Sequence, residues 1–276
     1  MSGTQSDVTS LEGKVAFITG GARAQGRSHA VALARQGASI VVTDIGHDVE
    51  PLPYSLGTAE ELAETVAQVE AVGGKAISAL ADTRDLASLE AAATTAVDTF
   101  GSIDIVIANA GIAPMTGTQD ERLWHLALDI NLTGTFNTVR ATMPRLIEQG
   151  RGGSIVLISS VLGIQGTATD HWGSLGYVAS KHGVVGLMQS YANLLAPHRI
   201  RVNSVHPTGI ATPMVDNPGM AAYHASVGGA PTSRNALPVE VIDEIDVSHA
   251  ISWLVSDTGR YVTGVALPVD AGYLNS

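Results

Sequence analysis

The chain has 276 residues, of which 45% are hydrophobic, and a formal net charge of -11. This acidic balance would repel phosphate backbones, so we expect no nucleic-acid partner. The absence of cysteine excludes disulfides, thiolate zinc sites and thiol nucleophiles. Residues 1–10 form a polar tail without a secretory pattern, and no apolar run reaches the roughly 18 residues of a membrane span. We therefore expect a cytoplasmic protein without membrane contacts.

The first elements along the chain are a strand, a glycine turn and a helix. Residues 14–19 are an apolar, β-branched run followed by glycines, and residues 27–36 are predicted to form a helix. A second strand, residues 39–43, ends at Asp44. An unusually long loop with proline and glycine then covers residues 45–57.

Five further strands are predicted, at residues 75–80, 103–108, 154–158, 200–205 and 265–269, and most of the strands are apolar runs. Runs that are apolar throughout are typical of strands buried on both faces of a parallel sheet. With helices between the earlier strands, they predict a single α/β domain over residues 11–276. Its fold is a Rossmann-type, doubly wound parallel sheet with helices on both faces. The stretch 211–235, rich in Met, Gly and Pro, is predicted to be a mobile loop or small helical lid.

The turn after the first strand has the composition of a phosphate-binding loop. Gly20, Gly26 and the small residues between them let the backbone approach a pyrophosphate, whose charge faces the helix N-terminus. A purely structural turn is the alternative, because any strand-to-helix turn can contain glycine. Asp44 can bind the adenosine ribose and repel a 2′-phosphate, which favours NAD, although it could instead cap a turn. Arg23 keeps NADP open, because a guanidinium there could hold a phosphate.

A tyrosine and a lysine lie four residues apart in Tyr177-Val-Ala-Ser-Lys181. On a helix predicted to run to about Leu195 they share one face, and a nearby cation favours a phenolate. We therefore expect the lysine to lower the pKa of Tyr177 and make it a general base near neutral pH. The chain contains only three lysines, which suggests that this one is present for its chemistry. An ordinary surface pair on an amphipathic helix is the alternative.

A series of landmarks over about residues 11–274 resembles the short-chain dehydrogenase/reductase family. In chain order they are the turn at 19–26, Ala81-Asp82, Asn109-Ala110-Gly111, Asn131, Ser159-Ser160, Tyr177 and Lys181. The resemblance implies four catalytic residues, Asn131, Ser160, Tyr177 and Lys181. Ser160 then hydrogen-bonds the substrate oxygen, and Asn131 supports a water-linked proton path. Alternatively, Ser160 could merely cap the strand end and Asn131 could be a helix irregularity.

The same resemblance implies a set of residues that bind the cofactor NAD. They are Gly20, Arg23, Ala24, Gln25, Gly26, Asp44, Ile45, Asp82, Thr83, Asn109, Ala110, Gly111, Tyr177, Lys181, Pro207, Ile210 and Thr212. Ala24 replaces a glycine of the family's turn, which is tolerable if its φ is negative. Thr208 replaces the glycine after Pro207, which makes Ile210 and Thr212 less secure. No metal is expected, because the nine histidines show no metal-ligand spacing.

A narrower resemblance is to the carveol-dehydrogenase-like, mycofactocin-associated subgroup. It is carried by the loop 45–57, the long interval between Ser160 and Tyr177, Gly26-Arg-Ser-His-Ala30, and His206-Pro-Thr-Gly209. The resemblance implies a secondary alcohol substrate such as carveol, a homotetramer, and a redox carrier that reoxidises bound NADH. We expect the loop 45–57 to fold over the adenosine end and slow cofactor release.

Two other functions remain open. An NADPH-dependent ketone or 3-oxoacyl reductase would share this fold, and a nucleotide-sensing protein could keep it without turnover. The intact serine, tyrosine and lysine argue against the sensor. Six residues could line an apolar substrate pocket or equally pack in the core or lid: His171, Trp172, Met214, Met220, Tyr223 and His224.

Overall fold

Seven strands form one parallel sheet in the computed structural model, which describes residues 10–228 and 235–275. The strands are β1 Val15–Thr19, β2 Ser39–Asp44, β3 Lys75–Leu80, β4 Ile105–Ala108, β5 Gly153–Ile158, β6 Ile200–Pro207 and β7 Ala266–Val269. Each lies within or overlaps a predicted run. The predicted polar tail up to residue 9, and residues 229–234 of the predicted lid, lie outside the described residues.

Helices cover both faces of this sheet. In the described residues they are α1 Ala24–Ala34, α2 Ala59–Ala71, α3 Leu86–Phe100, α4 Glu121–Ala127, α5 Gly134–Glu148, α6 Trp172–Leu195, α7 Pro218–Ser226 and α8 Glu244–Val255. A π-helical turn, Leu128–Thr133, joins α4 to α5, and short 3-10 turns occur at Val161–Gly163, Ala196–His198, Asp257–Gly259 and Tyr273–Asn275.

The strand order β3-β2-β1-β4-β5-β6-β7 confirms the doubly wound α/β fold. From β1 the chain builds outward to β3, then crosses back and builds from β4 in the other direction. The loops after β1 and β4 therefore diverge and leave a crevice at the carboxyl edge of the sheet, where ligands bind in folds of this kind.

Alternate residues of β1 enter two separate core layers. Val15 and Phe17 pack with side chains of α3, α5 and α6, whereas Ala16 and Ile18 pack with those of α1 and α8. Successive strand side chains point to opposite faces, so a strand covered on both sides must be apolar at every position. This accounts for the continuous apolar runs from which the fold was predicted.

Two local predictions need correction. The first helix begins at Ala24, not at residue 27, and Ala24 has a φ of 47°, so the expectation of a negative φ is wrong. The turn closes directly onto the helix and needs a left-handed residue there, which costs an L-residue roughly 1–2 kcal/mol. The stretch 211–235 contains the short helix α7, which favours the helical form of the predicted lid.

Candidate active site

A cavity lies in the crevice between the loops that follow β1 and β4. Most residues predicted to bind the cofactor line it: Gly20, Arg23, Ala24, Gln25, Gly26, Asp44, Ile45, Asp82, Thr83, Asn109, Ala110, Gly111 and Thr212. The structure thus brings segments that follow five strands, β1, β2, β3, β4 and β6, to one site. The cavity has the position that the strand order predicts for a ligand site.

Two glycines of the first turn are required by close backbone contacts. A Cβ atom at Gly26 would lie 1.9 Å from the carbonyl oxygen of Gly20, and one at Gly20 would lie 2.8 Å from the Cα atom of Ala110. The Asn109 amide donates to the carbonyl oxygens of Thr19 and Gly20, at 3.0 Å each. These contacts hold the loops after β1 and β4 together along one wall of the cavity.

The N-terminus of α1 at this wall has no intramolecular partner of negative charge. Arg23, at its N-cap, makes no side-chain capping bond, and the first turn contains no acidic residue. The first N–H groups of a helix lack partners within it and carry partial positive charge, which suits an anion. The buried side-chain oxygen of Gln25 also lacks a hydrogen-bond partner. The bare backbone and the uncapped helix fit a dinucleotide pyrophosphate.

Asp44 fixes a turn, which is one of its two predicted roles, while its contact with an adenosine ribose stays a prediction. Its carboxylate accepts hydrogen bonds from the backbone N–H of Ala22 and of Ile45, both at 2.9 Å, so it does fix the turn. It also lines the cavity. Burial raises the pKa of Asp44, while these hydrogen bonds and the nearby Arg23 lower it. Arg23 itself donates to the carbonyl oxygen of Ser55, in the loop 45–57.

Tyr177 and Lys181 share one buried face of α6, as their spacing predicts. The Lys181 ammonium lies 5.7 Å from the centre of the Tyr177 ring and donates to the carbonyl oxygen of Ile158 at 3.0 Å. A Cβ atom at Gly111 would lie 3.3 Å from the same ammonium nitrogen and 3.2 Å from Oδ1 of Asn131. Lys181 and Asn131 therefore adjoin the cavity at Gly111, although none of the four catalytic candidates lines it.

The pKa of Tyr177 departs from the expectation. Burial raises the pKa of this phenol, and a hydrogen bond with Ser160 lowers it only in part. Burial also lowers the pKa of Lys181 to about 8. The expectation of a lowered pKa for Tyr177 is therefore wrong for these residues alone, because burial disfavours the charged form of the phenol and outweighs the groups that favour it.

Asn131 lies in the π-helical turn, where the irregular backbone turns its amide toward the loop after β4. Its Oδ1 accepts from the N–H of Ile112 at 2.8 Å, and its Nδ2 donates to the carbonyl oxygen of Ile112 at 2.9 Å. A third contact, 3.1 Å long, joins Nδ2 to the hydroxyl of Ser180 on α6. Asn131 thus ties the cavity wall to the helix that carries Tyr177.

The two adjacent serines have different partners. Ser159 donates to the carbonyl oxygen of Lys181 at 2.9 Å, which fixes α6 against β5. The Ser160 hydroxyl accepts from the N–H of Leu162 at 3.1 Å and also bonds Tyr177. Of the two hydroxyls, the one predicted to be catalytic contacts the phenol.

Pro207 and Ile210 do not line the cavity. Ile210 is buried in the core and forms an isolated bridge with Ile242. Thr208, which replaces the family's glycine, donates its hydroxyl to Asn235 at 3.0 Å. Contacts of Pro207 and Ile210 with a cofactor therefore stay predictions, whereas Thr212 does line the cavity.

Residues 45–57, hereafter the strap, contribute cavity residues that the sequence did not single out. The Tyr54 hydroxyl accepts a hydrogen bond from the N–H of Ala113 at 3.0 Å, and Tyr54, Leu56 and Gly57 all line the cavity. Burial raises the pKa of Tyr54 above its usual range. The only sequence signal was the length of this loop, which does not say which wall it contacts.

The strap extends further than the predicted adenosine end. Its apolar side chains Val49, Leu52 and Leu56 pack against a buried cluster beyond the loop after β4, formed by Ile112, Leu126 and Ile130. At its other side, a Cβ atom at Gly219 of α7 would lie 2.3 Å from Pro53. The strap therefore bridges the loop after β4 and the lid helix.

Apolar side chains surround Tyr177 on the side of α7. Ala113, Met115, Met220 and Tyr223 form a buried cluster with it, and Leu162 and Met214 pack against this cluster. Of the other pocket candidates, His171 and His224 contact the Tyr223 ring, with ring centres 5.4 and 5.9 Å apart, and Trp172 is 41% exposed. The cluster can form the wall of an apolar substrate site.

Within residues 10–228 and 235–275, no group of three or more His, Cys, Asp or Glu side chains could hold a metal ion. The absence of a metal requirement stays a prediction. No helix in the described part of the chain is both long and apolar enough to cross a membrane.

A glycine turn, an uncapped helix and an acidic residue at the crossover of a parallel sheet define a dinucleotide-binding protein. The serine, tyrosine and lysine beside them are the residues predicted to be catalytic. The family model for short chain dehydrogenase matches residues 14–222, and the chain belongs to this family.

Comparisons with individual proteins agree with this assignment. The chain is 48% identical to (-)-trans-carveol dehydrogenase of Rhodococcus erythropolis over 95% of this chain and 98% of that protein. The crystal structure of carveol dehydrogenase from Mycobacterium avium in complex with NAD is 43% identical, with a TM-score of 0.88 over 96% of this chain and 99% of that chain. A short chain dehydrogenase from Mycobacterium paratuberculosis bound to NAD is 41% identical, with a TM-score of 0.90 and the same coverage.

Proposed function

We propose that this chain is an NAD-dependent alcohol dehydrogenase that interconverts a secondary alcohol and its ketone, with cyclic terpenoid alcohols such as carveol as substrates. The observation that carries the proposal is the burial of Ser160, Tyr177 and Lys181 together beside a dinucleotide-type cavity. The apolar cluster around Tyr177 supports a substrate with little polarity beyond its reacting oxygen. The carveol dehydrogenases among its relatives support the substrate class.

In the oxidising direction, Tyr177 accepts the proton of the substrate hydroxyl, and Ser160 holds the substrate oxygen by hydrogen bonding. Bound NAD supplies the acceptor for the hydride that leaves the carbinol carbon. Lys181 stabilises the charge on Tyr177. Asn131 holds the cavity wall and α6 in register and supports the water-linked path by which the proton leaves.

Asp44 is the reason to propose NAD as the cofactor. A carboxylate at the end of β2 repels a 2′-phosphate at contact distance. The free energy lost by this repulsion exceeds the free energy gained from the attraction of one flexible arginine. Arg23, the residue that kept NADP open, is engaged by Ser55 of the strap and lies 3.9 Å from Glu61. Both features disfavour the NADPH-dependent reductase.

The test of catalysis is Tyr177→Phe, measured as the single-turnover reduction of bound NAD by trans-carveol. We expect NADH affinity to stay unchanged and the rate to fall by roughly a thousandfold, within the range for loss of a general base. Tyr191→Phe is the matched control, because it removes the phenol hydroxyl of another buried tyrosine of α6, in a core cluster that does not contain Tyr177. Normal turnover in Tyr177→Phe would exclude the proposal, whereas no turnover in the wild-type protein would leave the non-catalytic sensor as the better interpretation.

We also propose that the strap keeps NAD bound between turnovers, so that a separate redox carrier, as in the mycofactocin-associated subgroup, reoxidises the NADH. Its contacts with Ala113 and Gly219 support this proposal, because they join the strap to the loop after β4 and to α7. The purified protein, denatured after exhaustive gel filtration, should release NAD into the supernatant. A cofactor-free protein that exchanges NAD rapidly would contradict the proposal.

The working form that we propose is a cytoplasmic homotetramer. Exposed apolar side chains on the outer helices support an oligomer, with Leu175 and Leu194 on α6 and Trp253 on α8. Sedimentation velocity of the purified protein should give one species of four chains. A monomer at micromolar concentration would contradict this part of the proposal.

A further inference from the structure

A buried histidine lies directly behind Ser160, and the proposed reaction does not yet use it. His206, near the end of β6, is fully buried, and its Nδ1 lies 2.8 Å from the carbonyl oxygen of Ser160. Its other ring nitrogen, Nε2, lies 2.8 Å from the hydroxyl of Ser204, two residues earlier on the same strand face. The imidazole ring of His206 therefore connects Ser204 on β6 to Ser160.

The contacts assign the proton of this imidazole. A carbonyl oxygen can only accept, so Nδ1 of His206 must carry a hydrogen and donate to Ser160. Burial and the nearby Lys181 lower the pKa of His206, which keeps the ring neutral near pH 7. Nε2 is then unprotonated and accepts from the hydroxyl of Ser204. One tautomer satisfies both contacts.

Ser160 is held at three points. Its carbonyl oxygen accepts from His206 and, at 2.8 Å, from the N–H of Gly163, which closes the 3-10 turn after β5. Its hydroxyl accepts from the N–H of Leu162 at 3.1 Å. The bonds with Gly163 and Leu162 are local and move with the turn. The bond with His206 is the one that ties the serine backbone to a neighbouring strand.

We propose that His206 is a positioning residue of the reaction, which fixes the backbone of Ser160 so that the serine hydroxyl meets the substrate oxygen, with Ser204 holding the other ring nitrogen of His206. The inference rests on the proposed function of Ser160. Misplacing a reacting group by about 1 Å can lower the reaction rate on the order of a hundredfold. Loss of the single buried hydrogen bond between His206 and Ser160 should therefore lower the rate.

Two isosteres of histidine separate this role from simple packing. The amide of asparagine occupies the place of Nδ1, whereas the amide of glutamine reaches the place of Nε2. His206→Asn therefore keeps the donor to Ser160, and His206→Gln keeps only the contact with Ser204. In single-turnover reduction of bound NAD by trans-carveol, we expect His206→Asn to stay within about threefold of the wild-type rate and His206→Gln to lose about tenfold or more. NADH affinity should be unchanged in both.

A double-mutant cycle distinguishes positioning of Ser160 by His206 from a purely structural role of His206. Once Ser160→Ala has removed the serine hydroxyl, adding His206→Gln should lower the rate by less than about twofold, because neighbours that act as a unit are not additive. Full additivity, equal damage by the two isosteres, or normal turnover in His206→Gln would each overturn the proposal. Wild-type turnover in Ser160→Ala alone would instead refute the proposed function of the serine.

Ser204→Ala is the second variant for the same single-turnover assay, for use if His206→Gln does not fold. Without the serine hydroxyl, Nε2 of His206 loses the hydrogen bond that holds the ring in place, so the donor at Nδ1 is less firmly directed at the Ser160 carbonyl. We expect a fall in the single-turnover rate of about threefold or more, with unchanged NADH affinity. A wild-type rate in Ser204→Ala would overturn the proposal.

Discussion

The hydroxyl of Tyr54 offers a direct test of how the strap retains the cofactor. It accepts a hydrogen bond of 3.0 Å from the N–H of Ala113, a residue that is only 5% exposed. Tyr54→Phe removes one oxygen atom and leaves the ring that lines the cavity. The variant therefore isolates the contribution of a single contact between the strap and the loop after β4.

The expected magnitude follows from the burial of the donor. A buried N–H group without an acceptor costs about 1–3 kcal/mol, and this cost falls on the closed strap alone, because water satisfies the same group when the strap opens. Each 1.4 kcal/mol corresponds to about a tenfold change in an equilibrium constant. The closed state should lose between about fivefold and about 150-fold in relative population, with about tenfold as the central value.

The assay is the dissociation of bound NADH, followed by its fluorescence after a chase with excess NAD. We expect Tyr54→Phe to raise the dissociation rate about tenfold. Tyr261→Phe is the matched control, because Tyr261 is 88% exposed and lies far from the strap in the chain. Gly219→Ala should act in the same direction, because its new Cβ atom would displace Pro53 of the strap. A dissociation rate in Tyr54→Phe that stays within about twofold of wild type would refute this reasoning.

Three further predictions concern the cavity and the core. Asp44→Asn should strengthen NADPH binding relative to NADH binding by about tenfold or more, because the charge that repels the 2′-phosphate is gone. The measurement is the ratio of the two dissociation constants. Gly26→Ala should abolish NADH binding in a calorimetric titration and lower the melting temperature, because its Cβ atom would lie 1.9 Å from the Gly20 carbonyl oxygen. Burial lowers the pKa of His29 from 6.5 to about 3, so only the unfolded chain takes up this proton as the pH falls through that interval. Urea unfolding should therefore show about 2 kcal/mol less stability at pH 5 than at pH 6.5 from this group, and His29→Asn should lose less than wild type.

The fold could be predicted because its determinants are local or periodic. A strand covered on both faces is apolar at successive positions, and β1, β2 and β5 carry uninterrupted apolar runs of three or four residues. The pairing of Tyr177 with Lys181 could be predicted because the two residues are one helical turn apart. Spacing along a helix fixes which side chains share a face.

The remaining features depend on contacts between distant parts of the chain. The partner of Tyr54 is Ala113, and the partner of His206 is Ser160, and no periodicity connects the members of either pair. The positive φ of Ala24 follows from the close approach of the backbone segments in the turn. The residue type alone would have predicted a negative φ. The pKa of Tyr177 was predicted with the wrong sign because the sequence gives its distance from a lysine but not its burial.

The buried tyrosine and lysine give the site a dependence on its cofactor. Desolvation raises the pKa of Tyr177 and lowers that of Lys181, so the protein by itself favours the neutral phenol and weakens the ammonium. A phenolate becomes favourable only when more positive charge is brought close to it, because in a buried site a charge is stabilised chiefly by an opposite charge. An oxidised nicotinamide bound beside Tyr177 would carry such a charge, and a reduced one would not. Burial of the pair would therefore link formation of the base to the redox state of a cofactor held by the cavity residues Gly20, Gly26 and Asp44, and the proposed retention of that cofactor by the strap would favour the base between turnovers.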